Sequence, residues 1–329
     1  MQCGMKVVVG WLPRIIGMPN PCSDLPRGPR RLFLLAAVSA LAACQTPPAV
    51  PGAAPTQPPP TPPPPAAGRV TRPPKLGLAL GGGAARGFAH IGVIQVLEEA
   101  GIRPDLVVGT SAGSLVAALY AHGKNGAELA TLALTMDEGA ITDWAFPSRG
   151  MIRGEALARY VREQTGNLAI EQLKMRLGIV ATDLDSGTGV LFERGDTGLA
   201  VRASSSVPAV FQPVKIGNRE YVDGGLVSPV PVRFARQMGA EMVIAVDISS
   251  PPDGNATGDT MKLLLQTFAI MGKSINQFEL RDADVVLRPA LVGVSSADFT
   301  SRVRAIRAGR EMATAMLPDI RAKLAGLAR

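Results

Sequence analysis

The sequence predicts an α/β fold with a mainly parallel sheet and helices on both faces. Short apolar runs alternate with stretches of helical spacing along residues 75–329. Two of these strand-to-helix junctions are rich in glycine. With 329 residues, 47% of them hydrophobic, the chain is long enough to bury a large core.

The first two units repeat one pattern of strand, glycine loop and helix. Residues 75–80 form an apolar run, and residues 88–100 follow a glycine loop with helical spacing. Residues 106–108 form a second, β-branched run, and residues 115–121 form the second predicted helix. Tandem units of this kind predict neighbouring parallel strands, whose carboxyl ends carry the two glycine loops.

Later segments continue the alternation. Apolar runs at 177–181, 243–246 and 285–287 predict strands, and residues 154–164 and 229–238 predict helices. A long helix is predicted from one apolar stripe at spacings of three and four: Met261, Leu264, Phe268, Met271, Ile275 and Phe278. Core packing is the default expectation for this stripe, and the border of a lipid-binding cleft is the alternative.

Composition excludes several classes of function. The net charge of +7 comes largely from the first 43 residues, and aromatic residues make up only 4% of the chain, so a nucleic-acid partner is not expected. All three cysteines lie within the first 44 residues, which leaves the body without thiol chemistry. Two histidines, His90 and His122, are too few for a His-rich metal site.

The N-terminal segment predicts an exported, lipid-anchored protein. Residues 1–43 are predicted to be a signal peptide, because arginines precede an apolar run too short to span a bilayer; Met18 is the more usual start, which favours a mis-assigned start for residues 1–17. Residues 41–44, Leu-Ala-Ala-Cys, resemble the lipobox of bacterial lipoproteins, which implies lipidation of Cys44. An ordinary cleavage site with an accidental cysteine is the alternative.

The segment after Cys44 is predicted to be a tether. Residues 44–74 hold the lipidated terminus and a proline-rich linker, and residues 75–329 hold the folded domain. Lipid chains on Cys44 would hold the protein at a membrane surface. Gln45 stands where aspartate is associated with inner-membrane retention, so the expected location is the bacterial cell envelope, at the outer membrane facing the periplasm.

The second glycine loop predicts a serine nucleophile. Residues 109–113 read Gly-Thr-Ser-Ala-Gly, a G-x-S-x-G sequence between a strand and an alanine-rich helix. A sharp turn there would project the hydroxyl of Ser111, and Gly109 and Gly113 would permit the strained backbone. A plain helix-capping serine is the alternative.

The first glycine loop predicts an oxyanion hole. Gly81, Gly82 and Gly83 leave backbone N–H groups free to converge on an anion, and Arg86 and Gly87 complete the loop. A nucleotide phosphate loop is the competing interpretation. The G-x-G-x-x-G pattern fails because Arg86 takes the last glycine position, and the P-loop pattern fails because Gly87 is not followed by lysine.

The base for this serine is predicted to be an aspartate. His122 lies near the far end of the helix that Ser111 begins, about 15 Å away, and His90 lies on the helix after the glycine loop. Asp223 follows a short strand and precedes two glycines, which would allow close approach by another loop. The same pattern is also common in an ordinary turn.

Together, G-G-G-A-A-R-G, G-T-S-A-G and D-G-G resemble the patatin-like phospholipase family in order and spacing. Residues 86–93 and 203–213 resemble its bacterial members, and the resemblance runs from about residue 76 to 231. It implies a three-layer α/β/α fold, a Ser111–Asp223 dyad, an oxyanion hole at residues 81–83, a bracing role for Arg86, lipid acyl esters as substrates, and no cofactor or metal. An acyltransferase and an inactive lipid-binding protein remain alternatives.

Overall fold

The computed structural model describes residues 72–141, 143, 150–250, 258–294 and 299–328. The predicted signal peptide, Cys44 and the tether up to residue 71 lie outside the described residues and stay predictions. The domain boundary at residue 75 stays a prediction as well.

Ten strands occur in the described residues: β1 Leu76–Leu80, β2 Leu106–Thr110, β3 Gly150–Ile152, β4 Arg176–Asp183, β5 Gly189–Phe192, β6 Ala209–Phe211, β7 Val214–Ile216, β8 Arg219–Asp223, β9 Met242–Val246 and β10 Val285–Leu287. Eight of them form the central sheet in the order β10-β9-β1-β2-β4-β8-β7, with β5 also paired to β4. The strands β3 and β6 form a separate parallel pair. Five neighbouring strands, β10 to β4 in that order, are parallel, so the predicted mainly parallel sheet is confirmed.

Eight α-helices accompany these strands in the described ranges: α1 Phe88–Glu99, α2 Ala112–His122, α3 Gly126–Thr135, α4 Glu155–Gln164, α5 Thr197–Ser204, α6 Val232–Gln237, α7 Thr260–Glu279 and α8 Arg302–Leu327. Alternate residues of the central strands face different helices. On β9, Met242, Ile244 and Val246 join the core formed with α1, α2 and α8, whereas Val243 and Ala245 join the core formed with α6. Helices therefore cover both faces, and the predicted three-layer α/β/α fold is confirmed.

Strand direction decides what lies at the carboxyl edge of the sheet. Leu80 pairs with Gly109 in the parallel β1–β2 ladder, so the two glycine loops leave the sheet side by side. The strand β8 is antiparallel to β4, and its last residue, Asp223, lies opposite Ala181. Thr110 pairs with Val180, the residue before Ala181. The pairing of the strands therefore places Asp223 at the same height in the sheet as Ser111, the residue that follows Thr110.

The helix α7 departs from the default expectation. Its apolar stripe is not core: Phe278 is 66% exposed and Met271 is 45% exposed, and the buried residues of this helix are polar, Asn276 and Glu279. Phe268 of this stripe lines a cleft, and the alternative interpretation, the border of a lipid-binding cleft, stays a prediction. Among the described residues, no helix combines the length and the apolar character that crossing a membrane requires.

Candidate active site

Ser111 occupies a strained turn between β2 and α2. Its φ of 52° and ψ of −124° lie outside the regions that residues with a side chain usually adopt. The turn is closely packed: a Cβ on Gly109 would lie 2.4 Å from the Gly113 carbonyl oxygen, and one on Gly113 would lie 2.1 Å from the Leu80 carbonyl oxygen. Only glycine fits these two positions, as in a nucleophile elbow.

Hydrogen bonds hold the strained residue from both sides. The Ser111 N–H donates to Ser204 Oγ at 2.9 Å, and the Ser204 hydroxyl donates in turn to the Val180 carbonyl at 2.6 Å. The Ser114 hydroxyl donates to the Ser111 carbonyl at 2.6 Å. Because its backbone groups are satisfied in this way, the turn can keep a conformation that costs energy on its own.

Asp223 ends β8 and is buried, with 6% of its surface exposed. Its backbone is fixed by a hydrogen bond from its N–H to the Ser206 carbonyl at 2.9 Å and by one from the Thr182 hydroxyl to its own carbonyl at 2.8 Å. The side-chain Oδ1 accepts the Gly225 N–H at 2.7 Å. Oδ2 is buried without a hydrogen-bond partner of regular geometry among the described residues.

Burial raises the pKa of the Asp223 carboxyl to about 6. The Ser111 hydroxyl and the Gly225 N–H act in the opposite direction, since both donate toward the charged form and lower the pKa. An aspartate usually titrates near 3.9 and is a weak base. A carboxyl that titrates near 6 is a stronger base and is still ionised at neutral pH.

Ser111 and Asp223 line one cleft of about 250 Å³. The glycine loop contributes Gly82, Gly83 and Ala84 to its wall, and α7 contributes Leu265, Phe268 and Lys273. The predicted nucleophile, base and loop are therefore brought together. The cleft thus has polar groups, Ser111 and Asp223, and an apolar wall that includes Leu265 and Phe268.

The glycine loop lies against the nucleophile, since a Cβ on Gly82 would be 3.1 Å from Ser111 Cβ. The hydrogen bonding of its N–H groups, however, differs from the prediction that all three are free for an oxyanion. The Gly81 N–H donates to the Val246 carbonyl at 3.0 Å and the Gly82 N–H to the Pro229 carbonyl at 2.9 Å, so neither is available to an oxyanion. Within the described ranges, no backbone acceptor is found for the N–H of Gly83, nor for that of the next residue, Ala84.

Arg86 is 7% exposed and ties the loop to the segment after β9. Its guanidinium donates to the Ser249 carbonyl at 2.9 Å and to the Ser250 hydroxyl at 2.5 Å. Gly87 packs on the elbow, because a Cβ there would lie 2.9 Å from Ala112 Cβ. Arg86 and Gly87 thus fasten the loop and do not line the cleft.

Neither histidine is placed to accept the proton of the Ser111 hydroxyl. His90 is fully buried, and its Nε2 bonds to the Gly81 carbonyl at 2.8 Å. Burial lowers the pKa of His90 to about 4, so its ring is neutral and Nε2–H donates. His122 is the last residue of α2, at the far end of the helix that follows Ser111.

Sequence reasoning missed the contribution of the helix α5 and the residues after it. Ser204 accepts the Ser111 N–H, and the Ser206 carbonyl accepts the Asp223 N–H. This short segment therefore joins the two halves of the site. The available signal is the run of serines in residues 203–213, which the family resemblance includes.

Comparison with known proteins supports the family resemblance of the motifs. Residues 78–236 match the family model for patatin-like phospholipases, a region that holds both Ser111 and Asp223. The mouse patatin-like phospholipase domain-containing protein 6 is 32% identical over 239 residues, which cover 69% of this chain and 17% of that protein. The chain belongs to the patatin-like phospholipase family.

Two bacterial proteins also match this patatin-like chain. An uncharacterized NTE family protein of Mycobacterium tuberculosis is 39% identical over 191 residues, 57% of this chain and 53% of that protein. The chain thus spans about half the length of this relative. Among solved structures, VipD from Legionella pneumophila matches with a TM-score of 0.53 at 15% identity, over 76% of this chain and 68% of that one. At that identity the match bears on the fold alone.

Proposed function

We propose that the protein is a serine lipid acyl hydrolase, a phospholipase or esterase, with Ser111 as nucleophile and Asp223 as base. One observation carries the proposal: a serine held at φ 52° and a buried carboxyl with its pKa raised to about 6 line the same cleft. Family membership supports it, because the matched region contains both residues.

In the first step, Ser111 Oγ attacks the carbonyl carbon of an ester and its proton passes to Asp223 Oδ2. This oxygen suits the task, since it is buried and has no regular hydrogen-bond partner among the described residues. The leaving alcohol then takes the proton from Asp223, and the ester bond to the alcohol breaks. An acyl-enzyme remains on Ser111.

The oxyanion of this step needs donors fixed in advance. We assign this role to the N–H groups of Gly83 and Ala84, together with that of Ala112, which follows the nucleophile at the N-terminus of α2. The predicted contribution of Gly81 and Gly82 is thereby limited to shaping the loop. The helix N-terminus also favours negative charge at this position.

In the second step, Asp223 removes a proton from water, and the hydroxide oxygen attacks the acyl carbon. The acid product leaves as the proton returns to Ser111 Oγ. Lipid acyl esters fit the site better than polar esters do, because Leu265 and Phe268 form an apolar wall beside the nucleophile.

Release of p-nitrophenol from acetyl and octanoyl esters tests the proposal. Wild type is expected to turn over, and Ser111→Ala to lose at least about a thousandfold in kcat/KM. Ser274→Ala is the matched control, since it removes an exposed hydroxyl that donates to the Ile270 carbonyl and does not line the cleft. A fluorophosphonate should label wild type and Ser274→Ala but not Ser111→Ala.

Several outcomes would contradict the proposal. Unlabelled, inactive wild type would favour a lipid-binding protein without catalysis. Labelling without hydrolysis, with acyl transfer appearing when alcohols are added, would favour an acyltransferase. Full activity in Ser111→Ala would place the nucleophile elsewhere.

We also propose that Cys44 is lipidated and holds the domain at the outer membrane, facing the periplasm. The proposal rests on the Leu-Ala-Ala-Cys sequence and the basic, apolar segment before it. Growth with labelled palmitate should label the full chain, and Cys44→Ser should abolish the label and release the protein from washed membranes. Cys22→Ser is the control and should keep both.

A further inference from the structure

A second cavity lies among α1, α2, α3 and α4. It measures about 70 Å³, and the side chains that line it are apolar except for Tyr160 of α4. No charged residue of the described ranges lines it. A cavity with so few polar partners does not hold water well, so an apolar ligand would fill it at little desolvation cost.

The cavity borders the nucleophile elbow. Ala112, the residue after Ser111, lines it, and so do Ala84 and Gly87 of the glycine loop. Ala84 also lines the cleft that contains Ser111 and Asp223. Ala84 is therefore common to both linings, and it lies in the loop that would surround the reacting carbonyl.

The two cavities differ in chemistry. The cleft presents Asp223, Ser249, Ser250 and Lys273 beside its apolar wall, whereas the second cavity presents hydrocarbon. An ester has two arms that diverge from one carbonyl carbon. The polar cleft suits the alcohol arm with its headgroup, and the apolar cavity suits the acyl chain.

We propose that the cavity among α1 to α4 is the acyl-chain subsite of this enzyme. The inference rests on the proposed hydrolase function. Each methylene buried there raises kcat/KM by about fourfold, so the enzyme prefers esters with a chain that reaches past Ala112 over acetate.

Leu132 on α3 is the position to test, because its half-buried side chain lines the cavity away from the reacting groups. Leu132→Trp fills the space. Loss of room for two methylenes should lower kcat/KM for the octanoyl ester by about fifteenfold and leave the acetyl ester within about twofold. Leu134→Trp is the matched control, since Leu134 lies two residues along the same helix and is 50% exposed.

The competing site for the chain is the apolar wall of α7. Leu265→Trp places a larger side chain on that wall and narrows the cleft. If Leu265→Trp alone changes the ratio of octanoyl to acetyl turnover, the chain lies along α7 and the inference is wrong. The inference is also wrong if Leu132→Trp lowers the turnover of both esters equally or of neither.

Binding of a fluorescent twelve-carbon fatty acid separates this inference from the proposed function. Measured on Ser111→Ala, it needs no turnover. Leu132→Trp in that background should weaken binding about tenfold, and Leu134→Trp should leave it unchanged. Equal binding by both variants would overturn the subsite even in an active hydrolase, whereas selective loss would support it even if no ester were hydrolysed.

Discussion

The paired strands β4 and β8 each carry an almost completely buried aspartate, and the pKa values of the two carboxyl groups are shifted in opposite directions. Asp183 pairs with Arg219 at 2.5 Å and accepts the backbone N–H groups of Asp185 and Ser186, and its side chain is 1% exposed. Hydrogen bonding from Arg219 leads the causes that lower the pKa of Asp183 to about 2. Burial leads the causes that raise the pKa of Asp223 to about 6.

Burial opposes the charged form of both carboxyl groups, but it leads only at Asp223, because Arg219 and a backbone N–H outweigh it at Asp183. In the β4–β8 ladder, Asp183 lies opposite Tyr221 and Asp223 lies opposite Ala181. The two aspartates are therefore two positions apart along the ladder. Among the described residues, the groups that act on Asp223 are the Ser111 hydroxyl and the Gly225 N–H, and neither carries a charge. A buried carboxyl with a cation is a structural anchor, whereas one without a cation is available as a base.

The largest effect should come from removing each charge in turn. Asp223→Asn keeps the shape and removes the base, so kcat/KM for the acetyl ester should fall by at least about a thousandfold. Asp183→Asn should stay within about tenfold of wild type but unfold at a lower temperature, because Arg219 loses its partner. Both rates and thermal unfolding are to be measured. Equal losses of activity would remove the functional contrast between the two aspartates.

The two aspartates should also affect the pH dependence of stability in opposite senses. A folded pKa of about 6 against about 3.9 unfolded means that the folded state holds an extra proton between these values, so stability falls as pH rises from 4 to 6. At pH 7.5 this costs on the order of 3 kcal/mol, which Asp223→Asn should recover in part. Asp183 has a lowered pKa, so its contribution is present above about pH 4 and is lost as pH falls toward 2.

Denaturant unfolding of wild type and both variants at pH 4 and 7.5 measures these differences. Asp223→Asn should be more stable than wild type at pH 7.5 and lose that advantage at pH 4. Asp183→Asn should be less stable than wild type at pH 7.5. An Asp223→Asn variant that is destabilised at pH 7.5 would mean that the carboxylate makes a favourable contact when charged.

The elements around the site were predictable because their signals are local. Predicted residues 75–80 and 88–100 correspond to β1 at Leu76–Leu80 and α1 at Phe88–Glu99, and the G-x-S-x-G turn is found where the motif placed it. Glycine loops and periodicity depend on neighbouring residues alone. Short strands such as β6 and β7 left no such signal, since three residues show no period.

The remaining differences all depend on distant parts of the chain. The Gly81 and Gly82 N–H groups are occupied by carbonyls of Val246 and Pro229, which no local pattern indicates. The spacing of Phe268 and Phe278 correctly predicts one helix, but it leaves core packing and the border of a cleft as alternatives, and only the packing of distant segments decides between them. Likewise, Asp183 and Asp223 both precede turns, and only the sheet pairing shows which of them meets an arginine.

The pH dependence of activity should follow Asp223 alone. In kcat/KM, a rise with pH that is half-complete near pH 6 is expected, because the base must be ionised. The His90 ring is already neutral above its pKa of about 4 and should add no second step near 6.5. A profile measured with the acetyl ester between pH 4.5 and 8.5 checks this. Activity that is already level from pH 4.5 upward would mean that a carboxylate with an ordinary pKa is the base.

The smallest effect is expected at a third buried carboxyl, which tests whether a raised pKa is sufficient for catalysis. Burial leads the causes that raise the pKa of Glu279 on α7, whose Oε1 accepts the Ser228 hydroxyl at 2.5 Å. Glu279 does not line the cleft, although the Ser228 carbonyl accepts the Thr110 hydroxyl beside the nucleophile.

Glu279→Gln keeps an oxygen for the Ser228 hydroxyl, so kcat/KM should change by less than about fivefold and the midpoint near pH 6 should not move. Ser228→Ala is the companion variant and should destabilise the fold by about 1–3 kcal/mol, because it removes the shorter of the two hydrogen bonds that the buried Glu279 Oε1 accepts. If Glu279→Gln shifted the midpoint, the titration would belong to Glu279 or to both carboxyl groups. With the midpoint unchanged, position beside Ser111 distinguishes Asp223, and a raised pKa alone does not make a base.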